Sequence, residues 1–129
     1  LKKDIGAWVF GCDICQMVCP HNKAIKLHNS PLGESLLDEF IDLLPLFSMD
    51  NADFKQKFGP TGISRSKRSG LLRNAAVVLG NQGHQEALPT LKKSAEIETA
   101  PIIVESCRWA VQEIENQAQT SKSSVKPEL

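Results

Sequence analysis

Three cysteines and a proline, spaced as Cys12-x2-Cys15-x3-Cys19-Pro20, constrain this chain more than any other feature. Thiols this close together cannot form a disulfide framework, which spreads its cysteines along the chain to close loops. The clustering favours metal or cluster ligation in a reducing compartment. A fourth cysteine, Cys107, lies far from the other three, among Val104, Trp109 and Val111. It reads as a small core residue.

The spacing has a known chemical use. The bacterial ferredoxin run is C-x2-C-x2-C-x3-C-P, and its last three cysteines and its proline coincide with Cys12, Cys15, Cys19 and Pro20. The first cysteine of the run would fall at Val9. In such a run the x2 turn aims two thiolates at adjacent irons, and the cysteine before proline ligates the neighbouring cluster. We therefore expect two 4Fe-4S clusters, with Cys12 and Cys15 on one and Cys19 on the other. Each cluster takes four thiolates, so five further cysteines are expected upstream: four in a full run and one standing in for Val9. Ile14, Met17 and Val18 are expected to keep water off the clusters. Two rival readings remain. Cys12, Cys15, Cys19 and His21 make a Cys3His set for zinc, although that spacing is cramped for a tetrahedral site and leaves Pro20 without a role. The three thiols are otherwise plain buried cysteines.

Composition sets the class. Of 129 residues, 41% are apolar, so the chain is expected to be globular with a real core. There is no Tyr, and Phe plus Trp are few, so aliphatic residues must build that core. No apolar run approaches the roughly 18 residues of a membrane span, and we expect a cytoplasmic, monomeric protein. The start Leu1-Lys2-Lys3-Asp4 carries neither an initiator Met nor a signal region and reads as a truncation point. Net charge is zero but uneven. Residues 34–53 hold six acids and no base, and residues 64–93 hold six bases against Glu86. Local fields rather than net charge decide polyanion contact.

The chain is expected to be mostly α-helical. Residues 1–30 read as the second half of a ferredoxin-like 4Fe-4S segment, with Trp8, Val9 and Phe10 buried. Residues 31–63 read as a helical connector. There Leu36, Leu37, Phe40, Ile41 and Leu44 mark an amphipathic helix ended near Pro45, with an acidic, solvated face. Asp50 or Asn51 caps a second helix through Phe54 and Phe58, which is broken at Gly59-Pro60-Thr61-Gly62. Residues 64–118 read as a HEAT-like (PBS lyase-type) repeat region with helices over 71–81, 85–96 and 101–117. A shift of 32 positions lays Leu72, Ala75, Val77 and Leu79 on Val104, Cys107, Trp109 and Val111. The Ser/Lys-rich residues 119–129 read as a disordered tail. His28 and His84 read as loop residues, and Trp8 and Trp109 as core.

Two stretches together carry a resemblance. Residues 10–20, FGCDICQMVCP, resemble the second cluster motif of epoxyqueuosine reductases. Residues 67–81, KRSGLLRNAAVVLGN, are similar to that family's first HEAT-like repeat. The resemblance runs over residues 5–114. It implies the carboxy-terminal part of a protein that reduces epoxyqueuosine, at the tRNA wobble position, to queuosine. It further implies a cobalamin-binding catalytic domain upstream, two 4Fe-4S clusters fed by an external electron donor, and a second motif that likewise lacks its first cysteine. Carried over residue by residue, Cys12 and Cys15 bind the second cluster and Cys19 the first. His21 departs from the family, where Trp is expected. No catalytic residue falls in this chain.

Arg65, Lys67, Arg68 and Arg73 stand at the start of the first repeat helix and are candidates to grip tRNA phosphates, with Lys92 and Lys93 extending the strip. A solvated helix face is the plain alternative, and Arg73 and Asn74 are alternatively fastenings for inter-helix loops. At the level of the whole chain, two other functions compete: a ferredoxin-type electron-transfer module with a protein-binding HEAT adaptor, and a zinc-stabilised helical module without redox chemistry.

Overall fold

A computed structural model describes residues 1–23 and 41–123. The described residues form six α-helices: α1 (Ile14–Met17), α2 (Pro20–Lys23), α3 (Asn51–Phe58), α4 (Lys67–Gln82), α5 (Leu88–Ile97) and α6 (Pro101–Ser123), with short 3-10 turns and no strand between them. The chain divides into two units: Leu1–Phe10 with Asp42–Leu129, and Gly11–Ile41.

The larger unit is built on α4 and α6. Residues Leu71, Leu72 and 75–80 of α4 are all buried, so this helix is enclosed on several sides. In α6, Ile103, Ser106, Cys107, Ala110 and Ile114 are buried, a single stripe at helical spacing. α5 contributes Leu91 and Ser94 to the same core. The α4–α6 approach is close because its residues are small. A Cβ on Gly80 would lie 2.9 Å from the Trp109 ring and 3.0 Å from Ala110 Cα.

Local signals explain the helix limits. Asp50 caps α3 by accepting from Asp53 N–H at 2.8 Å, and Asp53 returns a longer bond to Asp50 N–H at 3.4 Å. This reciprocal box contributes about 1 kcal/mol. Phe54 and Phe58, one turn apart, pack at 5.4 Å between ring centroids. α4 ends at Gly83, whose φ of +65° lets His84 N–H reach Leu79 O at 3.2 Å. Gln117 of α6 donates to Gly80 O at 3.0 Å, satisfying another carbonyl of that helix end. Lys67 begins α4 at φ +56° and ψ 167°, a positive-φ extended conformation that costs a non-glycine residue about 1–3 kcal/mol.

Several expectations change. Trp8 and Phe10 are 41% and 43% exposed rather than buried, and Trp109 is only half-buried. Leu1–Phe10 belongs to the same compact unit as the helices α3 to α6. Side-chain amides and ion pairs hold this stretch where apolar burial was expected. Pro45 opens a 3-10 turn, Pro45–Ser48, that buries Leu46 and Phe47; the helix expected before it lies mostly in residues 24–40, outside the described residues, as does His28. The expected helix at 85–96 is a 3-10 turn, Gln85–Ala87, followed by α5, with Pro89 in the first turn. α6 continues through Thr120, whose hydroxyl donates to Asn116 O at 3.0 Å, so residues 119–123 are helix rather than tail. Of the pairs in the 32-residue shift, only Ala75 and Cys107 are both buried. The partners of Leu72, Val77 and Leu79, namely Val104, Trp109 and Val111, are only half-buried, because α6 buries a single stripe and α4 is enclosed on several sides.

Candidate cluster-ligand segment and basic surface

The cysteine segment is two helical turns separated at Cys19. In α1, Met17 N–H reaches Asp13 O at 2.8 Å and Val18 N–H reaches Ile14 O at 3.0 Å. Pro20 opens α2 without an N–H to satisfy, where proline is tolerated. Cys19 O accepts from Asn22 N–H at 3.1 Å, and the Asn22 amide also donates to Gln16 O at 3.1 Å. Cys12 precedes α1, Cys15 lies within it, and Cys19 lies between the two turns. The position ahead of Cys12 is Gly11, at φ +71°.

All three thiols are free; Cys12 and Cys15 are exposed and Cys19 is half-buried. No residue of α1 is buried, and Ile14, Met17 and Val18 are 51%, 69% and 65% exposed. Three free, accessible thiols within one short segment fit soft ligation of iron–sulfur clusters in donor type. Among the described residues, no three Cys, His, Asp or Glu side chains are gathered around a single ion position. Cys107, in contrast, is fully buried, and its thiol is pushed up to about 11, by burial first and by Glu98 second.

The basic residues separate into two groups. Arg65, Lys67 and Arg73 are exposed, and Arg73 Nε donates to Asn74 Oδ1 at 3.0 Å. Arg68 is not available to a phosphate. Its guanidinium forms a two-point ion pair with Glu98 and donates through Nε to Met49 O at 2.6 Å. Both side chains are mostly buried. The reason is positional: Arg68 lies on the inner flank of the first turn of α4, facing the carboxylate at the end of α5. Lys92 pairs with Glu115 at 2.8 Å, and Lys93 remains exposed. His84 stands 3.9 Å from Glu86 on the surface.

Sequence reasoning offered Asn74 as a fastening for inter-helix loops and missed Asn81. Asn74 Nδ2 donates to Val9 O at 2.7 Å, and Asn81 Nδ2 donates to both Lys2 O and Gly6 O at 3.0 Å. Lys2 and Lys3 pair with Glu105 and Glu113 of α6, each at 2.9 Å. The Lys2 ammonium also lies 5.5 Å from the Trp109 ring centre. The Lys3 bond holds the Glu113 carboxyl below its ordinary value. The one available signal was the seven-residue spacing of Asn74 and Asn81, which places both on one face of a helix.

No protein-family model matches the chain. Epoxyqueuosine reductase from Lactococcus garvieae is 37% identical over 117 residues, which is 90% of this chain and 33% of that protein. The structure of epoxyqueuosine reductase from Streptococcus thermophilus superposes with a TM-score of 0.77 at 29% identity, over 99% of this chain and 35% of that one. A crystal structure of epoxyqueuosine reductase with an epoxyqueuosine-modified tRNA-Tyr stem loop gives 0.75 at 29% identity, over 98% and 36%. The chain spans about a third of the length of the curated relatives it matches. The resemblance first carried by the cysteine motif and the basic helix is thereby shown: over about nine-tenths of its length, this chain is similar to one third of an epoxyqueuosine reductase.

Proposed function

We propose that this chain is the cluster-ligating and tRNA-docking part of an epoxyqueuosine reductase, which reduces epoxyqueuosine to queuosine in tRNA. The observation that carries the reading is the free-thiol segment Cys12, Cys15 and Cys19-Pro20, in a chain similar to those reductases over nearly its whole length. Cys12 and Cys15 serve one 4Fe-4S cluster and Cys19 its neighbour, a division that asks for no three-ligand nest within this segment. One-electron transfer toward a cobalamin held elsewhere in the full protein is the chemistry such clusters supply when bound. In this reading exposed Ile14, Met17 and Val18 become the apolar cover that excludes water from that site.

The helices α4 to α6 read as a HEAT-like layer. Arg65, Lys67 and Arg73 are the residues proposed to meet tRNA phosphates, and Arg68 leaves that set. The tRNA partner is supported by the relative solved with a modified stem loop. The protein works as a cytoplasmic monomer supplied by an external electron donor. Among the described residues no helix is long and apolar enough to cross a membrane.

Anaerobic reconstitution of the full-length protein tests the reading. Uptake of about eight irons per chain is expected, with loss of cluster absorption in Cys15→Ser. A colourless protein that holds one zinc instead overturns it. Titration with the tRNA over a salt series tests the second half. Three phosphate contacts give a slope of about −2 to −3 in log K against log salt. Absence of binding at low salt favours the protein-binding adaptor.

A further inference from the structure

We infer that Asn74 is a positioning residue for the cysteine segment, acting through the strap Leu1–Phe10, whose far end Asn81 holds. The inference rests on the cluster reading above. Three backbone carbonyls of the strap, those of Lys2, Gly6 and Val9, accept from these two amides. The two asparagines lie two turns apart on α4, so a rigid helix sets the spacing of the anchored carbonyls. Lys2–Glu105 and Lys3–Glu113 fasten the other side of the strap to α6.

The place of the last anchor matters most. Val9 occupies the slot at which a full ferredoxin run carries its first thiolate. That slot holds no ligand here. Its carbonyl is instead bound to Asn74 at 2.7 Å, the shortest of the three amide contacts. Two residues later Gly11, at φ +71°, turns the chain toward Cys12. The anchor thus stops at the last residues before the ligands begin. An anchored entry point lowers the freedom of the first ligands, and preorganisation of this kind slows ligand loss. Asn81, which holds only the far end of the strap, acts on Lys2 and Gly6 and much less on Cys12.

The test uses the reconstituted full-length protein with Asn74→Asp and, separately, Asn81→Asp. Each exchanges an amide donor for a carboxylate that only accepts. Circular dichroism first establishes that α4 and α6 are intact; Asn74→Ser replaces any variant that fails this. Hydrogen exchange over residues 1–10 is expected to quicken about fivefold in both variants, as for one lost hydrogen bond. Cluster loss to a chelator is expected to quicken by about the same factor in Asn74→Asp only, with a changed EPR line shape. A purely structural role would leave that line shape unmoved. Wild-type protein that takes up no iron overturns the cluster reading and this inference with it. Wild-type protein that holds iron beside an Asn74→Asp variant that releases it no faster overturns the inference alone, as does unchanged exchange in the strap.

Discussion

The helical unit and the cysteine segment have similar proportions of apolar residues, and their described residues treat them in opposite ways. In the helical unit Phe58, Leu91, Ile103 and Ile114 are completely shielded from water. In the cysteine segment Ile14, Met17 and Val18 stand more than half exposed, and the two cysteines on either side of Ile14 are exposed with them. The first region has its own core, and hydrophobic burial orders it. In the second, the four-residue helix α1 buries no residue and is too short to persist on its own propensity. The segment's described side chains bury nothing, and its three thiols are free.

The contrast can be broken most directly by matched truncations. Ile103→Ala is expected to cost about 2–5 kcal/mol in denaturant unfolding, while Met17→Ala changes the same transition by less than about 0.5 kcal/mol. Equal effects would mean the segment shares the helical core. Thiol reactivity sharpens the same point. With its thiol raised to about 11, Cys107 presents about a hundredfold less thiolate near neutral pH than an ordinary cysteine. Native, cluster-free protein should therefore alkylate at Cys12 and Cys15 long before Cys107, as read by mass spectrometry. The linked stability has a definite sign. The raised thiol favours the fold fully below the unfolded value near 9, and that contribution is lost as pH rises through about 11.

Arg68 supplies a third break. Arg68→Ala leaves Glu98 and the Met49 carbonyl without their partner, at an expected cost of about 1–3 kcal/mol. It should leave the salt slope of tRNA binding unchanged, whereas Arg65→Ala lowers the slope by about 1. The smallest effect concerns the strap. The Lys3–Glu113 contact holds fully above the ordinary carboxylate value of 4.5 and is lost as acidification passes the lowered native value. Exchange of residues 1–10 measured through that range, below neutrality, should rise before the helices melt.

Much of the fold was readable in advance where a short-range rule operates. Asp50 and the Gly59-Pro60 break bounded α3, and the apolar stretch 71–81 marked a helix, which the structure extends to Lys67–Gln82. The candidate ligands were readable for the same reason, because the C-x2-C-x3-C-P spacing is itself the chemical requirement. The errors arose where the outcome depends on distant residues. Trp8 and Phe10 are apolar enough to be placed inside, yet the strap is held by its backbone carbonyls and lysines instead. Arg68 cannot be told from Arg65 by composition. Only the carboxylate of Glu98, thirty residues away, decides that it is a strut and not a phosphate ligand.

From the sequence alone came the helical character, the candidate cysteine motif and the resemblance to epoxyqueuosine reductases, since periodicity, turn chemistry and motif spacing all act over a few residues. The tertiary structure alone decided which cations are free, which face of α6 stays open and what fastens the entry to the cysteine segment. Those outcomes depend on which groups meet across the packed helices. A side chain's charge or amide is the same in any chain, but its partner exists only once α4, α5 and α6 have been brought together.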